Sequence, residues 1–190
     1  MSLYWKWFFL ILAGVASGAM TCMFLLGMTQ NREAFRPLGK WFLMPNLARP
    51  QGGLWDKAWG MRHAPLALSP NEAIYLGRKR DDAGEEFKEG CIYKVSGQRP
   101  AAAWWSFTIY DEEGFLPASF ERRFSLTAAE LKTDSWEFHI ANTSQGSSWL
   151  TSKGAGRFSL MMRLYRLDKD KLDPQMLPRI EKLTCKAAST

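Results

Sequence analysis

Two histidines, three cysteines and one run of three carboxylates are the residues from which a reaction would have to be built in this 190-residue chain. Zinc needs His, Cys or carboxylate ligands at short, fixed spacings. Neither His63 nor His139 has such company, so no metal site is expected. A general base needs a group that orients it, and none can be named for His139, which reads as a solvated strand residue. Asp111, Glu112 and Glu113 set three carboxylates side by side, as acid/base catalysis would use them. They stand, however, in the turn-forming run "YDEEGF", where acidic side chains serve solubility and local hydrogen bonding. The chain has no Walker loop, dinucleotide fingerprint or nucleophile elbow, and "NTSQGSSW" reads as a loop rather than a phosphate cradle. No catalytic residue and no cofactor is therefore expected, which favours a non-enzymatic role.

Another set of residues suits binding. Period-two alternation in "AWWSFTIYDEEG" places Trp105, Phe107 and Ile109 on one face of a strand and Trp104, Ser106, Thr108 and Tyr110 on the other. In "GRFSLMMRLYRL" it separates Phe158, Leu160, Met162 and Leu164 from Ser159, Met161, Arg163 and Tyr165. With the apolar sets in the core and the two strands as neighbours, Trp104, Tyr110, Arg163 and Tyr165 share one outer surface, with Trp149 on a nearby loop. Rings, hydroxyls and a cation fit a protein hot spot, or an apolar or glycan-like ligand. A short helix from residues 54–61 or 127–132, laid over that face as packing alone, is the structural alternative.

The elements that must position these residues read mostly as strands. "SWEFHIAN" alternates, with Trp136, Phe138 and Ile140 inward and Glu137, His139 and Ala141 outward. Strands around residues 73–80 and 91–95 are joined by "DDAGEE", which reads as the turn of an antiparallel ribbon, and "RIEKLTC" makes a last strand ending at Cys185. Gly114 can take the positive φ that a reversal after Tyr110 requires. "SLTAAELK" offers Ser125 or Thr127 as an N-cap and Glu130 in the first turn, which predicts a short helix. "LWDKAWGMRHA" spaces Leu54, Trp55, Ala58 and Met61 along one side of another. Short strands with one or two short helices predict an all-β domain, a mainly antiparallel β-sandwich or open barrel.

Between Lys6 and Arg32 there is no charge, and "WFFLILAGVASGAMTCMFLLGM" is long enough to cross a bilayer of about 30 Å as a helix rising about 1.5 Å per residue. Because the apolar run continues past Ser17-Gly18-Ala19 through Phe24, Leu25 and Leu26, an uncleaved anchor is expected rather than a signal peptide. Tyr4, Trp5 and Trp7 before the run, and Trp41 and Phe42 after it, suit headgroup depth, while Gly14 and Gly18 form a GxxxG helix-packing face. Residues 1–32 thus read as anchor with flanks, 33–53 as a linker ending in "PNLARPQGG", and 54–190 as the β-rich domain. The lipid bilayer is one expected partner. Nucleic acid is not, because the net charge of +6 comes from bases interleaved with acids, as in "GRKRDDAGEEFKEG", with no binding module. Orientation is pulled two ways. Arg32, Arg36, Lys40 and Arg49 after the helix favour a cytoplasmic domain. Cys91 and Cys185, left over once Cys22 is placed in the membrane, suit either one disulfide in an oxidising compartment or two buried thiols.

Four blocks in order, "GCIYKVSG", "AAAWWSFTIYDEEGFL", "SSWL" and "RFSLMMRLYRLDKDKLDPQMLPRIEKLTC", resemble the bacterial family catalogued as domain of unknown function 1214. That family carries an aromatic "WWS-T-YD-(D/E)-G" strand and turn, an "NWLP"-like loop, a "F-L-LRLY" strand and a closing "P-I". The likeness runs over about residues 66–185, and the chain departs from it at Ser148 and Thr151, where the family has asparagine and proline. In the short, membrane-anchored members one cysteine recurs in the "C-Y-(K/R)-(V/L)-SG" strand and another at the end of the last strand, and Cys91 and Cys185 fall on those places. The resemblance therefore implies a Cys91–Cys185 disulfide and a periplasmic domain held by one helix in a bacterial inner membrane. It also implies a partner, a separate anchored protein carrying the domain of unknown function 1254. The expectation is a single-pass envelope accessory protein, bound to another membrane protein through its aromatic face. An envelope enzyme or carrier acting on a lipid or carbohydrate is the alternative.

Overall fold

The uncharged run folds, together with Lys6 and residues 3–5 before it, as one helix, α1 (Leu3–Met28). Its stretch Tyr4–Phe24 is long and apolar enough to cross a membrane. Gly14 and Gly18 stand one turn apart on it with open space where a Cβ would go, and Cys22 is a free thiol on the same helix. The computed structural model describes residues 3–28, 35–44, 68–167 and 172–185. The short helix expected over residues 54–61, the boundary expected near 48–53 and His63 lie outside these.

Ten strands among the described residues form two sheets. The six-stranded sheet runs in the order β1 (Arg36–Leu38), β2 (Trp41–Leu43), β3 (Ala73–Arg78), β9 (Phe158–Tyr165), β5 (Trp104–Asp111), β6 (Ser125–Thr127). The four-stranded sheet runs β10 (Arg179–Cys185), β4 (Cys91–Gln98), β7 (Ser135–Ala141), β8 (Trp149–Thr151). Neighbours are antiparallel except β7 and β8, which run parallel. Both sheets are open, and their inner faces share one core.

Alternation builds that core as expected. Trp105, Phe107 and Ile109 of β5, Phe158, Leu160, Met162 and Leu164 of β9, and Trp136, Phe138 and Ile140 of β7 are all buried in it. Rings from the two sheets meet across the middle, Trp105 with Trp136 at 5.1 Å between centroids and Phe107 with Phe138 at 5.0 Å. Each such ring contributes about 2–3 kcal/mol by leaving water. Cys91 and Cys185 are cross-strand partners of β4 and β10 and form a disulfide.

Several expectations are corrected. Residues 33–53 are not a bare linker, because β1 and β2 form a hairpin about Gly39, at φ +62°, and β2 extends the sheet at β3. Trp41 is not an interfacial ring. It is 3% exposed, and its indole N–H donates to the Pro178 carbonyl at 3.0 Å, so both the apolar body and the polar tip are satisfied inside the protein. Strands β3 and β4 do not form a ribbon. Only an isolated bridge of Arg80 with Glu86 flanks the turn between them, and the strands themselves lie in different sheets, since each has an apolar side to bury against the opposite sheet. The helix expected in "SLTAAELK" is replaced by β6 and a single capped turn, in which the Glu130 carboxylate accepts the Thr127 N–H at 3.0 Å and its hydroxyl at 3.2 Å. The capping signal is real, but residues 125–127 pair with the edge of β5 and bury Leu126 completely. Ala141, expected outward, is buried beside Thr151 of β8.

A polar clasp holds one end of the sandwich. Arg78, only 1% exposed, donates to the carbonyls of Arg80 at 2.7 Å and Pro178 at 3.2 Å, pairs with Asp82, and lies over the Trp41 ring. Asp82 also meets Lys40 at 3.5 Å and accepts the Ile180 N–H at 3.2 Å. Segments far apart in sequence, around Trp41, Arg78 and Pro178, are thereby tied to one another.

Candidate functional site

The outer face of the six-stranded sheet can be read row by row from the strand register. In the first row Ala73, Tyr165 and Trp104 are cross-strand neighbours, in the second Tyr75, Arg163, Ser106 and Thr127, and in the third Phe42, Gly77, Met161, Thr108 and Ser125. Tyr110 stands opposite Ser159 in the fourth. Residues directly opposite on one face touch. Four of the five expected binding residues, Trp104, Tyr110, Arg163 and Tyr165, thus lie on one face of two adjacent strands.

Their contacts are specific. The Trp104 and Tyr165 rings meet edge to face with centroids 5.0 Å apart, and Trp104 remains 40% exposed. The Arg163 guanidinium donates to the Thr108 hydroxyl at 2.7 Å and to the Tyr110 hydroxyl, with its central carbon 5.7 Å from the Tyr110 ring centre. Ser106 and Thr108 are buried beside it. Among the described residues no carboxylate pairs with Arg163, so its charge is met by hydroxyls and a π face.

Trp149 does not join them. It opens β8 in the other sheet, opposite His139, and is 6% exposed. Arg123 fixes its surroundings by donating to the Trp149 carbonyl at 3.2 Å and the Ser147 carbonyl at 2.8 Å. Placing it on a loop missed this parallel pairing, because a three-residue strand carries too little alternation to be recognised.

The face also contains residues that sequence reasoning passed over. Met44, Ala73 and Tyr75 are buried on it, with Phe42, Met161 and Tyr165 packed around them. Tyr75 accepts the Leu68 N–H at 2.8 Å, and burial, the largest influence on it, raises its phenol above the ordinary value. The signal was present in "AIYLGR", where Tyr75 alternates with Ile74 and Leu76. A second missed feature is the loop after β5. There Phe115 and Leu116 are largely exposed and Phe120 fully so, at 105%.

The acidic run behaves as a turn. Asp111 accepts the Phe115 N–H at 2.7 Å through its side chain, and Gly114 takes φ +90°. Among the described residues no group of three His, Cys, Asp or Glu side chains is arranged to hold a metal ion. His139 lies on the outer side of β7, between Lys94 and Trp149 in the register. The outer face of the six-stranded sheet brings together flat rings, a cation on an aromatic support, and hydroxyls, with Ser106, Thr108 and Tyr75 buried and Trp104 exposed.

Comparison with known proteins gives a family match and one solved structure that shares the fold. The family described as "Protein of unknown function (DUF1214)" matches residues 72–169. The crystal structure of the VPA0106 protein from Vibrio parahaemolyticus resembles this chain with a TM-score of 0.56 at 20% identity, over 68% of this chain and 35% of that one. A putative uncharacterised protein from Burkholderia cenocepacia gives a TM-score of 0.43 at 15% identity, over 76% of this chain and 48% of that one. The chain thus spans about a third and about half of these two proteins. No curated protein matches it.

Proposed function

Since the chain belongs to the DUF1214 family, we propose that it is a membrane-anchored accessory protein of the bacterial envelope. In this reading α1 crosses the inner membrane once, the sandwich lies on the periplasmic side, and the outer face of the six-stranded sheet docks another membrane protein. The partner class is an anchored protein carrying the domain of unknown function 1254.

The observation that carries the reading is the placement of Trp104, Tyr165, Arg163 and Tyr110 on one face of β5 and β9. Trp, Tyr and Arg are the residue types that dominate binding energy at protein interfaces. The Cys91–Cys185 disulfide supports the periplasmic side, where such bonds persist, against the pull of the basic residues that follow α1.

The test is purification from the native membrane in mild detergent, with mass spectrometry of whatever remains bound at stoichiometric level. A stoichiometric membrane protein, lost on Tyr110→Ala or Arg163→Ala, is the expected result. Recovery of the protein alone with lipid or sugar attached overturns the accessory reading and favours a carrier or enzyme using the same face.

A further inference from the structure

From strand polarity we infer that the end of the sandwich bearing Trp104 and Tyr165 lies on the membrane surface, with these two rings and the neighbouring alanines set in the lipid headgroup layer. The inference rests on the anchored part of the proposed function, in which α1 spans the membrane.

Its basis is the register. Arg36 of β1 pairs with Leu43, Leu43 with Leu76, Leu76 with Met162, and Met162 with Phe107. Leu38 pairs with Trp41, one step beyond Phe42, on the side that leads to Arg78 and Leu160. Going from Leu38 back to Arg36 therefore runs from the Ile109 row toward the Phe107 row. Phe35, one residue before β1, therefore lies on the side of the Trp104 end. Only residues 29–34 separate Met28 from Phe35, and at about 3.3–3.6 Å per residue they reach roughly 25 Å at full stretch. Trp104 lies four strands from β1, which at about 4.8 Å per strand is roughly 19 Å sideways. The anchor and this edge of the domain are held within one short tether's length.

The chemistry of that end matches a headgroup layer. Trp104 is exposed on one side and rests on Tyr165, and Ala101 and Ala103 before it are exposed along with Leu68. Arg166, exposed and at φ +49°, follows Tyr165. Amphipathic rings beside small apolar residues and a cation are what interfacial depth favours. The opposite end carries the acidic turn at residues 111–114 and the Cys91–Cys185 bond, together with exposed Arg122, Lys153 and Arg157, while Glu72 and Asp134 are exposed at the Trp104 end, so strand polarity rather than charge tells the two ends apart. There Phe115, Leu116 and Phe120 are directed away from the protein's own membrane.

The full chain with Cys22→Ser, its disulfide intact, is labelled with a nitroxide through Ala103→Cys or, separately, through Phe120→Cys, and reconstituted into vesicles of phosphatidylethanolamine and phosphatidylglycerol. Collision with oxygen is compared with collision with a polar nickel complex. The expected result is a several-fold fall in nickel access at position 103 on moving from detergent to vesicles, with position 120 unchanged. Equal nickel access at both positions, or protection of 120 instead of 103, overturns the inference. Vesicle flotation separates this failure from that of the underlying reading, because a protein that does not float with the vesicles has no anchor in them.

Discussion

Arg78 and Asp82 form an ion pair whose arginine side is almost wholly removed from water while the carboxylate keeps 24% of its side chain exposed. A buried guanidinium with its carbonyl acceptors in place still needs this negative charge. Removing the partner of a buried charge is far costlier than removing both. Asp82→Asn is expected to cost about 3 kcal/mol, and Arg78→Met with Asp82→Asn less than Asp82→Asn alone, as read by urea denaturation.

The same carboxylate sets an acid limit. Burial by itself pushes Asp82 upward, but its hydrogen bond to Arg78, the charges of Arg78 and Lys40, and the Ile180 N–H outweigh it, so the group sits below its ordinary value. A lowered folded-state pKa stabilises the fold above the unfolded value, near 4, and that stabilisation is lost as pH falls through the folded value. Melting temperature should therefore drop below about pH 4. The drop should be smaller in Asp82→Asn.

Cys91 and Cys185 close a loop with a sequence separation of 94. In the chain-entropy account such a cross-link contributes about 4–5 kcal/mol. Cys185→Ser, or reduction with dithiothreitol, is expected to lower the melting temperature by about 10 °C or more, a shift that scanning calorimetry resolves. Both cysteines found as free thiols in native membranes would remove the support for a periplasmic domain.

The two faces of β5 can be separated by mutation. Phe107→Ala opens a cavity between the sheets and should cost about 3–5 kcal/mol. Trp104→Ala removes a ring that is 40% exposed and should cost under about 1 kcal/mol. Equal losses of stability from the two changes would make the outer face ordinary packing.

Gly77 gives a further prediction. A Cβ there would fall 2.3 Å from the Phe42 ring, which lies across the glycine from β2. Gly77→Ala should destabilise by about 1–3 kcal/mol, and Phe42→Ala in the same chain should recover part of it.

Period-two alternation was enough to assign both faces of β5 and β9 and the inner face of β7, because each of these strands is long and half-buried. The partner of each strand was less legible. The run "DDAGEE" signals a reversal, but nothing in it says that β3 and β4 lie in different sheets. Trp41 and Phe42, close after an apolar helix, look like interfacial rings until β3 and the Pro178 carbonyl are in view. Trp149 and the run at Ser125 were misplaced for one reason. Three-residue strands are decided by the edge they meet, and that edge lies elsewhere in the chain.

Trp41 and Pro178 are joined across 137 residues. The β1–β2 hairpin is made early in synthesis, yet the carbonyl that receives its indole N–H comes just before the final strand, and Arg78 waits for the same carbonyl. Contacts between such distant segments form late, since the closure of a long loop must precede any gain from it. The hairpin that follows the anchor in sequence is therefore the last part of the domain to be locked. A chain stalled or truncated before residue 178 would leave Trp41 and Arg78 without that acceptor, displaying an unfinished sheet edge.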